Sequence, residues 1–281
     1  MDLDPDHSSA RGDQEALRRL LLSTVEKAGL PGPPPELSLP LRPAAVEAAR
    51  LAGREHPLAQ ERAAELARRL GEASAALPPE AATGPVEWPV ELADPDELPH
   101  LRRAVARSTE LPPTAALVRW RPADQAVFAS AVRLLDAVWP RMLGELRATV
   151  AQVALLDGAA VDGHTDTTVP GAVLIGRHLL SSTPAGLPAS VGLAEALVYE
   201  GTRSRCAAAA AARGPFPAAE GDGACHRAVG LARCVLLYER LLEAGPAAEP
   251  AMEERYGRLR AELGSAAGGG RLLARIDRLT A

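Results

Sequence analysis

The stretch from Gly192 to Ala212, GLAEALVYEGTRSRCAAAAAA, constrains the fold more than any other part of the chain. Alanine and leucine favour helix, and this segment contains no proline to break one. A helix that is apolar around most of its circumference is buried by its neighbours. We therefore predict one long core helix around which the rest of the chain is organised.

Composition and charge narrow the class of protein. A chain of 281 residues can form one large domain or two small ones with a real core. The net charge of −5 argues against a protein that coats nucleic acid. No apolar run reaches the length of a membrane span, and the acidic, polar start is unlike a signal peptide. Three cysteines without CxxC spacing fit a reducing compartment, so we expect a cytoplasmic protein with no nucleic-acid or membrane partner.

Apolar periodicity and proline positions predict an α+β fold that is predominantly helical, with a small sheet or hairpin before the core helix. We predict strands at 115–120, 150–156 and 172–175. One long helix begins at Pro122, is kinked or broken at Trp139-Pro140, and resumes through Leu146. Further helices are predicted at 14–28, 43–51, 57–76, 95–108, 224–243, 248–263 and 270–279.

Proline-rich segments suggest where the chain divides. We predict a disordered N-terminus over residues 1–12, an N-terminal helical part over 13–76 and a connector over 77–94. The core domain then covers 95–281. One continuous domain over 13–281 is the alternative.

A five-residue pattern within the core helix resembles an altered metal motif. HExxH places two histidines four residues apart on one helical face, where they bind one metal ion beside the glutamate. Here Tyr199 and Arg203 stand at the two ligand positions, and Glu200 stands at the glutamate position. Arginine is always cationic and repels a metal ion, so the pattern predicts no metal at these positions.

The order of several short motifs around this helix carries a family resemblance. They are Trp139-Pro140, Pro170-Gly171, the run Leu193 to Val198, His226, and Leu237-Tyr238-Glu239-Arg240. Over roughly residues 120–245 the chain resembles the HExxH-motif peptide-modification proteins found beside genes for ribosomally made, post-translationally modified peptides. The resemblance implies a role in maturing such a precursor peptide.

Some members of that family look like iron(II)- and 2-oxoglutarate-dependent hydroxylases, whose metal is held by the two motif histidines and a third downstream. By this resemblance Glu200 and His226 are retained, and Tyr199 and Arg203 are departures. One ligand of three is too few to hold a divalent ion. We therefore expect no cofactor and no metal in the family's site.

Four interpretations of this region remain open. The pocket can be a peptide-binding groove in which Arg203 pairs with Glu200 or with a ligand carboxylate, as in a non-catalytic accessory of a partner modifying enzyme. It can perform metal-free proton transfer through the catalytic candidates Tyr199, Glu200 and His226, with Arg203 and Arg227 as substrate-binding candidates. A metal site rebuilt from His164, Asp166 and His226, in an iron(II)- and 2-oxoglutarate-dependent peptide hydroxylase, is a third possibility. In the fourth, the chain is an unrelated helical interaction protein.

The remaining histidines and cysteines receive structural interpretations. His7, His56 and His100 are predicted at the surface, and His164 in a solvated loop if it binds no metal. Cys206 and Cys234 are predicted to be small core residues. We expect a metal-independent protein that binds or modifies a precursor peptide.

Overall fold

The protein is represented by a computed structural model that describes residues 3–28, 39–52, 88, 90–92, 99–158, 161–183, 186–212, 222–245 and 249–279. The helix predicted at 57–76 and most of the connector predicted at 77–94 lie outside the described residues. Nearly all of the other predicted elements lie within them.

The fold is predominantly helical α+β, as the sequence predicts. Within the described residues the α-helices are α1 (His7–Ala28), α2 (Pro43–Ala52), α3 (Pro99–Arg107), α4 (Pro122–Val138), α5 (Pro140–Thr149), α6 (Ala189–Ala211), α7 (Asp222–Glu243), α8 (Glu249–Ser265) and α9 (Gly269–Leu279). Trp139 ends α4 and begins α5, with Pro140 in the first turn of the second helix. This confirms the predicted break. The helix is interrupted because Pro140 has no N–H with which to continue the hydrogen bonds of α4.

The long helix α6 is the centre of the molecule. It begins after Pro188, and most of its residues are buried, as predicted for an apolar helix. Other helices pack against it on several sides: α1, α4, α5 and α7. The sheet strand that precedes it also packs against α6, so side chains at its polar positions are surrounded by protein.

A small mixed sheet lies beside this helical core. Its strands are β1 (Glu91–Leu92), β2 (Ala116–Val118), β3 (Gln152–Asp157), β4 (Gly163–His164) and β5 (Ala172–Gly176). The central strand β3 pairs in parallel with β5 and β1 and antiparallel with β2, while β4 pairs antiparallel with β5. The strands β3 and β5 are almost wholly buried, which explains their continuous apolar sequences.

The N-terminal segment differs from the prediction. The helix predicted from Gln14 begins at His7, within the segment predicted to be disordered. Leu3 and Ala10 are both buried, and the Asp6 backbone N–H donates to the Glu145 carboxylate on α5. This segment therefore packs on the core. The sequence did not indicate this, because the segment is mostly polar and only a few apolar residues hold it there.

A buried ion cluster joins α5, α6 and α7 beneath α1. The Glu145 carboxylate accepts hydrogen bonds from Arg205 and from Arg233, whose nearest contact is 2.5 Å. All three side chains are almost completely buried. The sequence separations are 60 and 88 residues, so the periodicity of single helices did not indicate this cluster.

His100 corrects a sequence prediction. It was predicted at the surface, yet it is buried, and its Nε2 lies 2.9 Å from the side-chain oxygen of Gln152 on β3. Burial lowers the pKa of His100. The histidine belongs to the interface between α3 and the sheet.

Candidate functional site

A cavity of about 780 Å³ opens along one face of α6. The α6 residues that line it are Gly192, Glu195, Ala196, Tyr199, Glu200 and Arg203. Their spacing of three and four residues places them on a single helical face. Of the five residues predicted to be catalytic or substrate-binding, three therefore line the cavity from α6: Tyr199, Glu200 and Arg203.

The opposite walls come from α7, α8 and two loops. Arg227 and Leu231 line the cavity from α7, and Arg255, Arg258 and Glu262 line it from α8. Glu110, Asp162 and Gly163 complete the rim near the sheet. The volume is within the range of cavities that bind small molecules or short segments of a larger ligand.

Glu200 and Arg203 form the polar centre of this cavity. Two distances, 3.5 and 3.4 Å, join the Arg203 Nη1 atom to the two carboxylate oxygens of Glu200. Glu200 is 2% exposed. Burial raises the pKa of Glu200, and the charge of Arg203 opposes that rise.

The backbone of β4 holds the Glu200 side chain in place. A methyl group at Gly163 would lie 2.7 Å from the Glu200 Cγ, so only glycine permits this approach. Thr165 also donates from its Oγ1 to the Glu200 backbone carbonyl, at 3.1 Å. The sheet edge thus fixes the acidic residue of the altered motif.

The Tyr199 ring packs against Gly230 of α7. A methyl group at Gly230 would lie 2.9 Å from the Tyr199 ring, so the glycine gives the ring its space. Burial raises the pKa of Tyr199 to about 12. The phenol is therefore neutral at physiological pH and can donate a hydrogen bond into the cavity.

Glu110 links Arg203 to His164 at the rim. Its Oε2 lies 3.5 Å from the Arg203 Nη2 and 3.3 Å from the His164 Nδ1. His164 is buried in β4, so the prediction of a solvated loop histidine is wrong. Burial lowers the pKa of His164, which favours the neutral ring.

A second ion pair lies further along the same face of α6. Glu195 is buried, and its two carboxylate oxygens lie 3.1 and 3.0 Å from the Arg255 Nε, which shares its single N–H between them. The Arg255 Nη2 also donates to Glu195. The Tyr238 hydroxyl donates to the same carboxylate at 2.8 Å. The sequence reasoning missed this pair, although Glu195 precedes Tyr199 by one helical turn.

His226 and Arg227 are near the beginning of α7. Arg227 is mostly exposed, lines the cavity, and donates to Glu262 at 2.8 Å. His226 is half-buried one turn before Gly230 and is not among the residues that line the cavity. The structure thus brings four of the five candidates to the cavity and places His226 beside it.

The donor atoms present do not fit the metal that the family resemblance implies. Tyr199 is held protonated, and Arg203 directs a positive charge into the centre of the site. Asp166, a member of the possible rebuilt site, accepts hydrogen bonds from Arg107 at 2.5 Å and from Thr168. Across the described ranges, no three or more His, Cys, Asp or Glu side chains form a group that could hold a metal ion, and this covers His164, Asp166 and His226.

No protein-family model matches this chain, and no curated protein matches it significantly.

In the part of the chain that the structure describes, no helix combines the length and the apolarity that a membrane crossing requires. Cys206 and Cys234 are buried, as predicted for core residues.

Proposed function

We propose that this protein binds a segment of a peptide in the α6 cavity and does so without a metal ion. It would act in the cytoplasm, in the maturation of a ribosomally made peptide, as a metal-independent relative of the HExxH-motif proteins. The observation that carries the proposal is the position of Arg203. Its guanidinium stands at a ligand position of the altered motif, lines the cavity and faces the buried Glu200 carboxylate.

The lining chemistry suits a peptide better than a uniformly charged ligand. Side chains of both signs of charge line the cavity, together with apolar side chains such as Leu187, Leu231 and Leu259. A peptide segment offers amides, carbonyls and mixed side chains, which match such a lining. The phosphates of a nucleotide or a polyphosphate would be repelled by the several carboxylates on the same walls.

The contacts of Arg203 leave it available to a ligand. A well-formed pair between a guanidinium and a carboxylate has distances of about 2.7 to 2.9 Å. The distances from Arg203 to Glu200 and Glu110 are 3.4 and 3.5 Å, and Glu110 is largely exposed. A carboxylate on the peptide can therefore replace Glu110 and make a closer pair with Arg203.

Metal-free catalysis is the second candidate function, and the state of Glu200 favours it. A buried carboxyl with a raised pKa, beside the neutral phenol of Tyr199, is the kind of pair that exchanges protons with a bound substrate. In this version Glu200 removes or supplies a proton and Tyr199 donates a hydrogen bond. In the accessory version the same residues bind the peptide and a partner enzyme modifies it.

One experiment tests binding and catalysis together. Purified protein is incubated in chelator with a library of synthetic pentapeptides that carry glutamate or glutamine at one variable position. Affinity is measured by calorimetry, and each recovered peptide is weighed by mass spectrometry. The proposal predicts that glutamate peptides bind at least about tenfold more tightly than their glutamine twins. Equal affinities in wild-type protein would contradict it.

The mass measurement separates the two versions of the proposal. A mass change that appears with wild-type protein and disappears with Glu200→Gln identifies an enzyme. Binding without a mass change supports the accessory role. Arg203→Gln should lose the preference for glutamate peptides, and Arg133→Gln, at an exposed site on α4, is the matched control for the removal of one arginine.

A further inference from the structure

A second cavity, of about 920 Å³, lies on another side of the molecule beside β2. It is bordered by α3, by the loop between α3 and β2, and by β2 itself. None of the residues that line the α6 cavity lines this one. It is therefore a separate surface.

The cavity follows the open edge of β2. Five consecutive residues, 115–119, all line it. Successive side chains of a strand point to opposite faces, so a cavity that touches every residue in turn must run along the edge of the strand. Among the described strands β2 pairs with β3 alone, which leaves its other edge without a strand partner.

The charges around this cavity have one sign. Four arginines line it, and its described lining contains no aspartate or glutamate: Arg102, Arg119, Arg121 and Arg177. Arg177 lies 3.7 Å from Asp157 and 4.0 Å from Asp124, which stand outside the lining. In a chain whose net charge is −5, this rim is locally positive.

The floor of the cavity is apolar. Val105, Leu111 and Leu117 line it and belong to, or pack against, the hydrophobic cluster between α3 and the sheet. Side chains that alternate along an added strand would meet this floor on one face and the arginine rim on the other.

We infer that this groove binds an extended acidic peptide, which adds to the sheet as a strand beside β2. Backbone hydrogen bonds to the edge of β2 hold the peptide, its apolar side chains contact Leu117 and its neighbours, and its carboxylates pair with the arginines. Strand addition to a free edge is a known mode of peptide recognition, and electrostatic complementarity sets the preferred sequence.

The test uses three classes of synthetic probe. The first is a rhodamine-labelled decapeptide that alternates valine with glutamate, and the second replaces each glutamate with lysine. The third class is the acidic peptide N-methylated at every second residue, made in both registers. Fluorescence anisotropy with the full chain measures the affinity of each probe.

Strand addition predicts that the acidic peptide binds at least about tenfold more tightly than the lysine peptide, and less tightly as salt rises. One of the two N-methylated registers must lose binding, because it lacks the N–H groups that face β2. Equal binding of acidic and basic peptides would overturn the inference. So would full binding of both methylated registers, or no saturation by the acidic probe.

Protein variants locate the site. Arg119→Glu with Arg121→Glu should weaken the acidic probe about tenfold, since both arginines are exposed on the rim. Arg19→Glu with Arg133→Glu makes the same change of net charge at exposed sites on α1 and α4 and should leave affinity within about twofold. The single variant Arg119→Gln repeats the test if the double variant melts early. Equal losses in the two double variants would show that net charge alone attracts the probe and would overturn the inference.

Discussion

The Arg203 guanidinium lies 3.4 Å from the Glu200 carboxylate, one helical turn away on the same face of α6. Arg203 is 17% exposed and Glu200 is 3% exposed at their side chains, so the pair is shielded from water on most sides. At the position where the HExxH motif that this segment resembles would bind a metal, the positive charge here belongs to an arginine of the protein. The predictions below follow from this pair and from the packing that holds it.

Replacing Arg203 with alanine should destabilise the protein more at pH 8 than at pH 5. Burial raises the pKa of Glu200 in the folded state above its value in the unfolded chain. Stability therefore falls as pH rises from the unfolded-state pKa to the folded-state pKa. Without Arg203 the folded-state pKa of Glu200 rises further, so stability falls over a wider pH range. We expect a loss of about 1 to 3 kcal/mol at pH 8 and less at pH 5, measured by urea denaturation.

Arg227→Ala is the control for that comparison. Its side chain is 60% exposed and its partner Glu262 is 42% exposed, so its loss should change the free energy of unfolding by less than about 1 kcal/mol at either pH. A loss for Arg203→Ala that is the same at both pH values would show that Glu200 does not titrate with this pair.

Tyr199 should contribute almost no tyrosinate to the absorbance of the folded protein at pH 10. Burial raises the pKa values of all three tyrosines, and that of Tyr199 reaches about 12. Because the unfolded chain ionises near pH 10, stability should fall as pH rises above 10. Absorbance at 295 nm, recorded below the pH of alkaline unfolding, measures the amount of tyrosinate directly. The difference between wild type and Tyr199→Phe gives the contribution of Tyr199. An absorbance step of one tyrosine centred at pH 10 and absent from the variant would contradict the buried position of Tyr199.

Gly163→Ala should disturb the site, whereas Gly192→Ala should not. The added methyl group at 163 would lie 2.7 Å from Glu200 Cγ and 3.1 Å from a backbone oxygen. Glu200 must then move, at a cost of about 1 to 3 kcal/mol. At Gly192 the nearest atom is 3.7 Å away, and alanine favours helix, so the second variant should be neutral or slightly more stable. Thermal unfolding of both variants distinguishes them, and a Gly163→Ala protein as stable as wild type would refute the packing described here.

The buried Glu145 cluster should be among the most sensitive places in the molecule. Glu145→Ala leaves Arg205 and Arg233 buried without their shared carboxylate, which should cost about 3 to 5 kcal/mol. Glu15→Ala removes a carboxylate from an exposed pair with Arg18 and should cost less than about 1 kcal/mol. Chemical denaturation compares the two, and similar losses would contradict the structural role of the cluster.

The sequence predicted the helices well because their signals are local. Pro122 and Pro140 mark helix starts, and the alanine-rich stretch before Ala212 identifies the core helix. The two-residue strands β1 and β4 were missed, since a strand of that length carries no periodicity of its own. Only pairing with β3 and β5 defines them.

The polar interior was harder to predict than the helices. His100 and His164 sit in polar sequence, but their partners Gln152 and Glu110 are 52 and 54 residues away. Such contacts depend on the tertiary fold, which no local pattern encodes. The pairing of Glu200 with Arg203 was one of the alternatives that the sequence suggested, because both residues lie on one helical face three residues apart.

The most direct test of the central proposal is the affinity of a glutamate-containing peptide for wild-type protein and for Arg203→Gln, measured by calorimetry in chelator. The peptide is the tightest binder of the pentapeptide library, and its glutamine twin completes the comparison. If Arg203 binds the peptide carboxylate, wild type prefers the glutamate peptide by about tenfold or more, and Arg203→Gln loses that preference. A preference that survives in Arg203→Gln, or that requires added metal in the wild type, would contradict the proposal.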